Sequence, residues 1–139
     1  MYFFDSGRSA LYAILKVIKS QVKDPQIYVN AYTTDVVHST IRSLGLQMIP
    51  IDIDPLSFQP VAKDYQFDRS TVFIQTGLFG FPAFDTGIYE SVKNAGGFFL
   101  EDSCNSWGTM VKGNPAGSLG DASIFSFRIG KAFSTGGGA

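Results

Sequence analysis

Apolar residues in this chain recur with two periods in alternation. Ala10, Leu11, Ile14, Leu15 and Ile18 fall at helical spacing, and Ser6-Gly7 stands ahead of them as a start signal. Gln26-Ile27-Tyr28-Val29, entered through Pro25, is a short β-type run. Val36, Val37, Thr40, Ile41 and Leu44 form a second helical stripe, stopped by Gly45. Met48-Ile49-Pro50-Ile51 reads as a strand, with Pro50 the residue least suited to one. A polar connection then runs from Asp54-Pro55 to Arg69. The apolar run Thr71-Val72-Phe73-Ile74-Gln75 suits a strand buried on both faces. A loop containing Gly77, Gly80 and Pro82 leads to a helix over 85–95, ended by Gly96-Gly97. Gly97 to Asp102 predicts another buried strand finishing in two carboxylates, and Ala122 to Phe127 predicts the last one. Strands alternating with helices predict an α/β fold, a mostly parallel sheet covered by helices on both faces.

Composition narrows the partners. A chain of 139 residues has room for one domain, exposing roughly 7,100 Å² folded against roughly 21,900 Å² unfolded. Hydrophobic residues make up 45% and charged ones 17%, which supplies a core and excludes global disorder. Eleven basic and 12 acidic side chains give a net charge of −1, without the positive excess that binds a phosphate backbone, so no nucleic-acid partner is expected. The single Cys104 and single His38 can build neither an internal disulfide nor a zinc site. His38 is expected on the exposed face of the second helix, which removes any Ser-His-Asp set. No membrane span or signal peptide is read from the sequence, so the expected location is cytoplasmic.

In open parallel sheets, ligands bind beyond the carboxyl ends of the strands. Polar residues at those ends are few: Asp102 and Asn105 after one strand, Ser126 and Lys131 after the next, and Ser6-Gly7-Arg8 at a helix start. Lys131 lies among small and apolar residues, where desolvation turns an amine into a nucleophile for carbonyl carbons; a solvated surface charge is the alternative. Asp102 closes a strand of Phe and Leu and needs a hydrogen-bonded or cationic partner, which a pyridinium nitrogen or a nearby Arg would supply. The helix beginning at Gly7 offers free N–H groups to a phosphate. Gly113, Gly117 and Gly120 do not have dinucleotide-binding spacing, and Cys104 reads as a buried, inert thiol.

Five segments in order then become informative together: Ser6-Gly7-Arg8-Ser9-Ala10-Leu11, Leu78-Phe79-Gly80-Phe81-Pro82-Ala83, Glu101-Asp102-Ser103, Gly117-Ser118-Leu119-Gly120-Asp121-Ala122, and Phe125-Ser126-Phe127 through Lys131 to Ala139. This pattern resembles the DegT/DnrJ/StrS-type family of pyridoxal-phosphate-dependent aminotransferases, which aminate nucleotide-linked keto-sugars. The resemblance implies the aspartate-aminotransferase-like large domain of fold type I and pyridoxal 5′-phosphate as cofactor. Lys131 matches the lysine that bonds to the cofactor and shuttles a proton during the reaction. Asp102 matches the aspartate that pairs with the pyridine nitrogen, and Ser126 a serine that binds the cofactor phosphate. Gly7 and Arg8 fall where a Gly-Thr pair presents backbone N–H groups to that phosphate.

Three positions depart from the family pattern. Asn105 stands where Gln usually touches the ring hydroxyl. Thr34 falls where an aromatic residue stacks on the ring, a role Tyr32 could take over. Arg8 replaces the usual Thr. The family members are also longer and work as homodimers. Residues 1–139 are therefore expected to be a truncated, partial cofactor-binding large domain, with the C-terminal small domain absent. The function implied is amino transfer, from glutamate or a similar amino acid to a keto-sugar. A family member that dehydrates the sugar is a second reading, against which Lys131 argues. A non-catalytic remnant or interaction module that keeps the fold is a third.

Overall fold

A computed structural model describes residues 1–139, the whole of the chain. Three helices and seven strands follow one another as α1 (Gly7–Gln21), β1 (Gln26–Asn30), α2 (Asp35–Ser43), β2 (Gln47–Ile51), β3 (Thr71–Thr76), α3 (Thr86–Asn94), β4 (Phe98–Asp102), β5 (Met110–Val111), β6 (Asn114–Pro115) and β7 (Ala122–Ile124). Five strands form one sheet in the order β2-β1-β3-β4-β7, every neighbouring pair parallel. β5 and β6 make a separate antiparallel pair within the glycine-rich passage after β4.

Strand alternation divides the core between the two faces. Ile27, Val29, Val72, Ile74, Leu100 and Ile124 project to one side, where Leu11, Leu15 and Ile18 of α1 and Val37 and Ile41 of α2 cover them. Tyr28, Phe73 and Phe99 project to the other, under Ile88 and Val92 of α3. These three rings occupy matched positions on adjacent strands and lie parallel, at 6.5 Å and 5.6 Å between centroids. Layering by helices on both faces is thus as the sequence predicts.

Local signals set most boundaries. Ser6 caps α1, its hydroxyl accepting from the Ser9 amide at 3.3 Å, and Asp85 caps α3 by accepting from the Ile88 amide at 2.9 Å. Pro50 is tolerated because β2 is an edge strand, paired with β1 alone. Two expectations need correction. The last strand ends at Ile124 rather than Phe127, because β4 ends at Asp102, opposite Ile124, and offers no further partner. Beyond that point Phe127 turns to Gly138 and Thr135 for its backbone bonds. His38 is half-buried, not on an exposed face, and its Nε2 is enclosed without a hydrogen-bond partner.

Glu101 and Asp102 are adjacent and therefore point to opposite faces. Glu101 is fully buried and accepts three backbone N–H groups, from Gly117 and Leu119 at 2.7 Å and from Gly120 at 2.6 Å. One carboxylate thus ties the glycine-rich loop to the centre of the sheet, immediately before β7. Gly117 has φ +86, and a Cβ there would lie 2.2 Å from the Phe125 ring. Both the conformation and the space demand glycine.

Candidate active site

Chain direction in the sheet reverses between β1 and β3: from β1 the chain moves outward to β2, and from β3 it moves the other way through β4 to β7. Loops leaving the two strands diverge at such a point and open a crevice. Thr33 and Thr76 bridge it by a hydroxyl–hydroxyl hydrogen bond of 2.8 Å. Above the bridge lies a cavity of about 470 Å³, whose walls include Tyr32 to Thr34 from the β1 loop and Leu78 to Gly80 from the β3 loop. A second cavity of about 310 Å³ adjoins it and reaches the start of α1. Thr34, Cys104, Asn105, Ser126 and Lys131 line both.

All seven residues singled out from the sequence line the second cavity: Gly7, Arg8, Thr34, Asp102, Asn105, Ser126 and Lys131. They come from four places in the chain. Gly7 and Arg8 are the first two residues of α1, whose amides have no carbonyl one turn earlier in the helix. Gly7 lies close to the Asp102 turn and the Ser126 loop: a Cβ on it would be 3.5 Å from Cys104 Sγ and 3.8 Å from Ser126 Cβ. Thr34 is the N-cap residue of α2, yet its side chain makes no capping bond. Ser126 and Lys131 stand on the loop after β7, where a backbone bridge between Arg128 and Gly136 closes the turn.

Asp102 is only 4% exposed. Its Oδ1 accepts the Cys104 amide at 3.2 Å. No ion pair reaches it, for the chain's one ion pair joins Lys93 to Asp121. Burial pushes its carboxyl above the ordinary value, while the bonds from Cys104 and the charge of Lys131 pull the other way. The nearby-Arg reading is therefore not realised: Arg8 and Arg128 share the cavity wall without pairing to it. Cys104 is pushed far above the ordinary thiol value, by burial first and then by the Asp102 charge. The thiol is half-buried and lines both cavities, so the expectation of a fully buried residue needs correction. Lys131 Nζ donates to Asn105 Oδ1 at 2.5 Å.

Several wall residues carried no usable signal in the sequence. Trp107 and Phe133 lie on separate loops and stack at 5.7 Å, next to Phe127. Loops lack the periodicity that would have brought them together. Arg128 lines the second cavity, and only its closeness to Ser126 pointed there. Thr34 has no ring to stack, so the aromatic faces on the larger cavity belong to Tyr32, Phe79, Trp107 and Phe133.

No helix is long and apolar enough to cross a membrane. The sequence pattern of the DegT/DnrJ/EryC1/StrS aminotransferase family matches residues 3–139. GDP-perosamine synthase of Escherichia coli O157:H7 is 27% identical over 136 residues, 96% of this chain and 37% of that protein. UDP-N-acetyl-3-dehydro-alpha-D-glucosamine 3-aminotransferase of Acidithiobacillus ferrooxidans is 25% identical over 125 residues, 88% of this chain and 34% of that one. Among solved structures, the PLP form of a putative sugar aminotransferase from Streptococcus pneumoniae matches with a TM-score of 0.81 and 25% identity, over 98% of this chain and 39% of the other. The chain thus spans little more than a third of the length of these relatives.

Proposed function

The chain belongs to the DegT/DnrJ/EryC1/StrS aminotransferase family, and from that premise we propose that its paired cavities hold pyridoxal 5′-phosphate for amino transfer to a nucleotide-linked keto-sugar, with glutamate or a similar amino acid as donor. Residues 1–139 would then act as part of the cofactor-binding large domain. The observation that carries the reading is Asp102, a buried carboxylate with no cationic partner, in one cavity with Lys131. Leaving such a charge unpaired is costly unless a ligand completes it.

The donor set fits the group. Asp102 would accept a hydrogen bond from a protonated ring nitrogen, a reading supported by its burial in the cavity wall. The amides of Gly7 and Arg8, the hydroxyl of Ser126 and the positive end of α1 suit a phosphate. Bound there, the cofactor supplies an electron sink for the carbanion of an amino acid. Lys131 Nζ supplies the amine that carries a proton to and from the reacting carbon. Leu78, Phe79 and Trp107 give the larger cavity an apolar wall.

Trp107 is the chain's single tryptophan and lines the larger cavity, so its fluorescence reports filling of the site. Titration with pyridoxal phosphate is expected to quench it to saturation. Ser126→Ala should weaken the half-saturation concentration about tenfold, the effect of losing one bond to a charged group. A non-catalytic remnant would give no saturable quenching, and that result would sink the reading.

A further inference from the structure

We propose that Asn105 is a positioning residue for Lys131: its side-chain oxygen holds the lysine amine against the turn that carries Asp102, and so sets the spacing of the two groups. The inference rests on the cavity reading above for its consequence, while the contact itself stands on geometry.

The argument runs along a short chain of bonds. β4 ends at Asp102, whose Oδ1 accepts the Cys104 amide two residues on. This local bond fixes the backbone that carries Asn105. Lys131 arrives from a different loop, 26 residues later, on a long side chain with many rotamers. Its Nζ donates to Asn105 Oδ1. No carboxylate forms an ion pair with that amine, since Lys93–Asp121 is the only such pair. The amide oxygen is therefore the group that fixes where the amine stands. It does so by direction alone, without the charge that an acidic residue would bring.

The test uses the full chain with ¹⁵N-labelled lysine. The Lys131 Nζ resonance, assigned with Lys131→Arg, is expected to exchange its protons more slowly than those of the exposed Lys23 and Lys63. Asn105→Ala should speed that exchange about tenfold, and Asn105→Gln, which keeps an oxygen, should restore part of the protection. Equal exchange in the wild type and Asn105→Ala would overturn the proposal. A second readout separates lysine from ring. Borohydride trapping of pyridoxal phosphate on Lys131 should slow by the same factor, about tenfold, whether the probe carries the ring hydroxyl or lacks it (3-deoxypyridoxal phosphate). A loss confined to the hydroxylated probe would place Asn105 on the ring and overturn the proposal. If no probe labels Lys131 in the wild type while its Nζ exchange still depends on Asn105, the cofactor reading fails and this one stands.

Discussion

Glu101→Ala is expected to destabilise the protein by about 3 kcal/mol, a large share of the roughly 5–15 kcal/mol that holds a domain folded. The substitution strips partners from three amides at once, those of Gly117, Leu119 and Gly120. Each orphaned donor costs about 1–3 kcal/mol when enclosed, and these are partly enclosed, so the lower end applies. The loop cannot relax toward other partners, because Gly117 is pinned by its positive φ and by the Phe125 ring. Glu101→Gln should cost less, since its oxygen can still accept from Leu119 and Gly120 while its NH₂ group would face the Gly117 N–H. Urea unfolding checks this. The midpoint should fall with the slope unchanged, and an unmoved midpoint would show that the three bonds contribute nothing.

Asp102→Asn should have opposite effects on stability and on binding. Burial raises the Asp102 carboxyl above its ordinary value. A carboxyl raised in the folded state contributes stability that is fully present below the unfolded value of about 4 and is lost as pH rises through the folded value. Above the unfolded value, burying this carboxyl therefore opposes folding. Asparagine keeps the oxygen that accepts the Cys104 amide and removes the charge. The variant should be more stable than the wild type at pH 7, with the difference shrinking as pH falls toward the unfolded value. Saturating pyridoxal phosphate should reverse the order, because only the wild type gains the binding free energy of the ligand. A variant less stable than the wild type at pH 7 without ligand would contradict the account of Asp102.

The sequence made the fold legible wherever burial and period coincide. The stripe from Ala10 to Ile18 and the runs at 71–75 and 97–102 name α1, β3 and β4, since their side chains face the core. It failed where the deciding partner is remote. Phe125 to Phe127 alternate like a strand, and only the end of β4 at Asp102 shows why they are not one. His38 lies three residues before the fully buried Ile41, so helical spacing already placed it near the covered face. The site divides in the same way. Gly7, Asp102, Ser126 and Lys131 follow element ends, which a strand-and-helix reading can locate. Trp107, Phe133 and Arg128 stand on loops whose approach to one another is a tertiary fact. The role of Glu101 as a three-bond anchor was equally hidden, because its partners are backbone groups and carry no residue signature.

The most direct measurement is reduction of the chain with borohydride in the presence of pyridoxal phosphate, followed by peptide mass mapping. The account predicts a phosphopyridoxyl label concentrated on Lys131 and lost in Lys131→Ala. Label spread evenly over Lys16, Lys63, Lys93 and the other lysines would contradict it, because the cavities would then confer no reactivity on the one lysine that lines them.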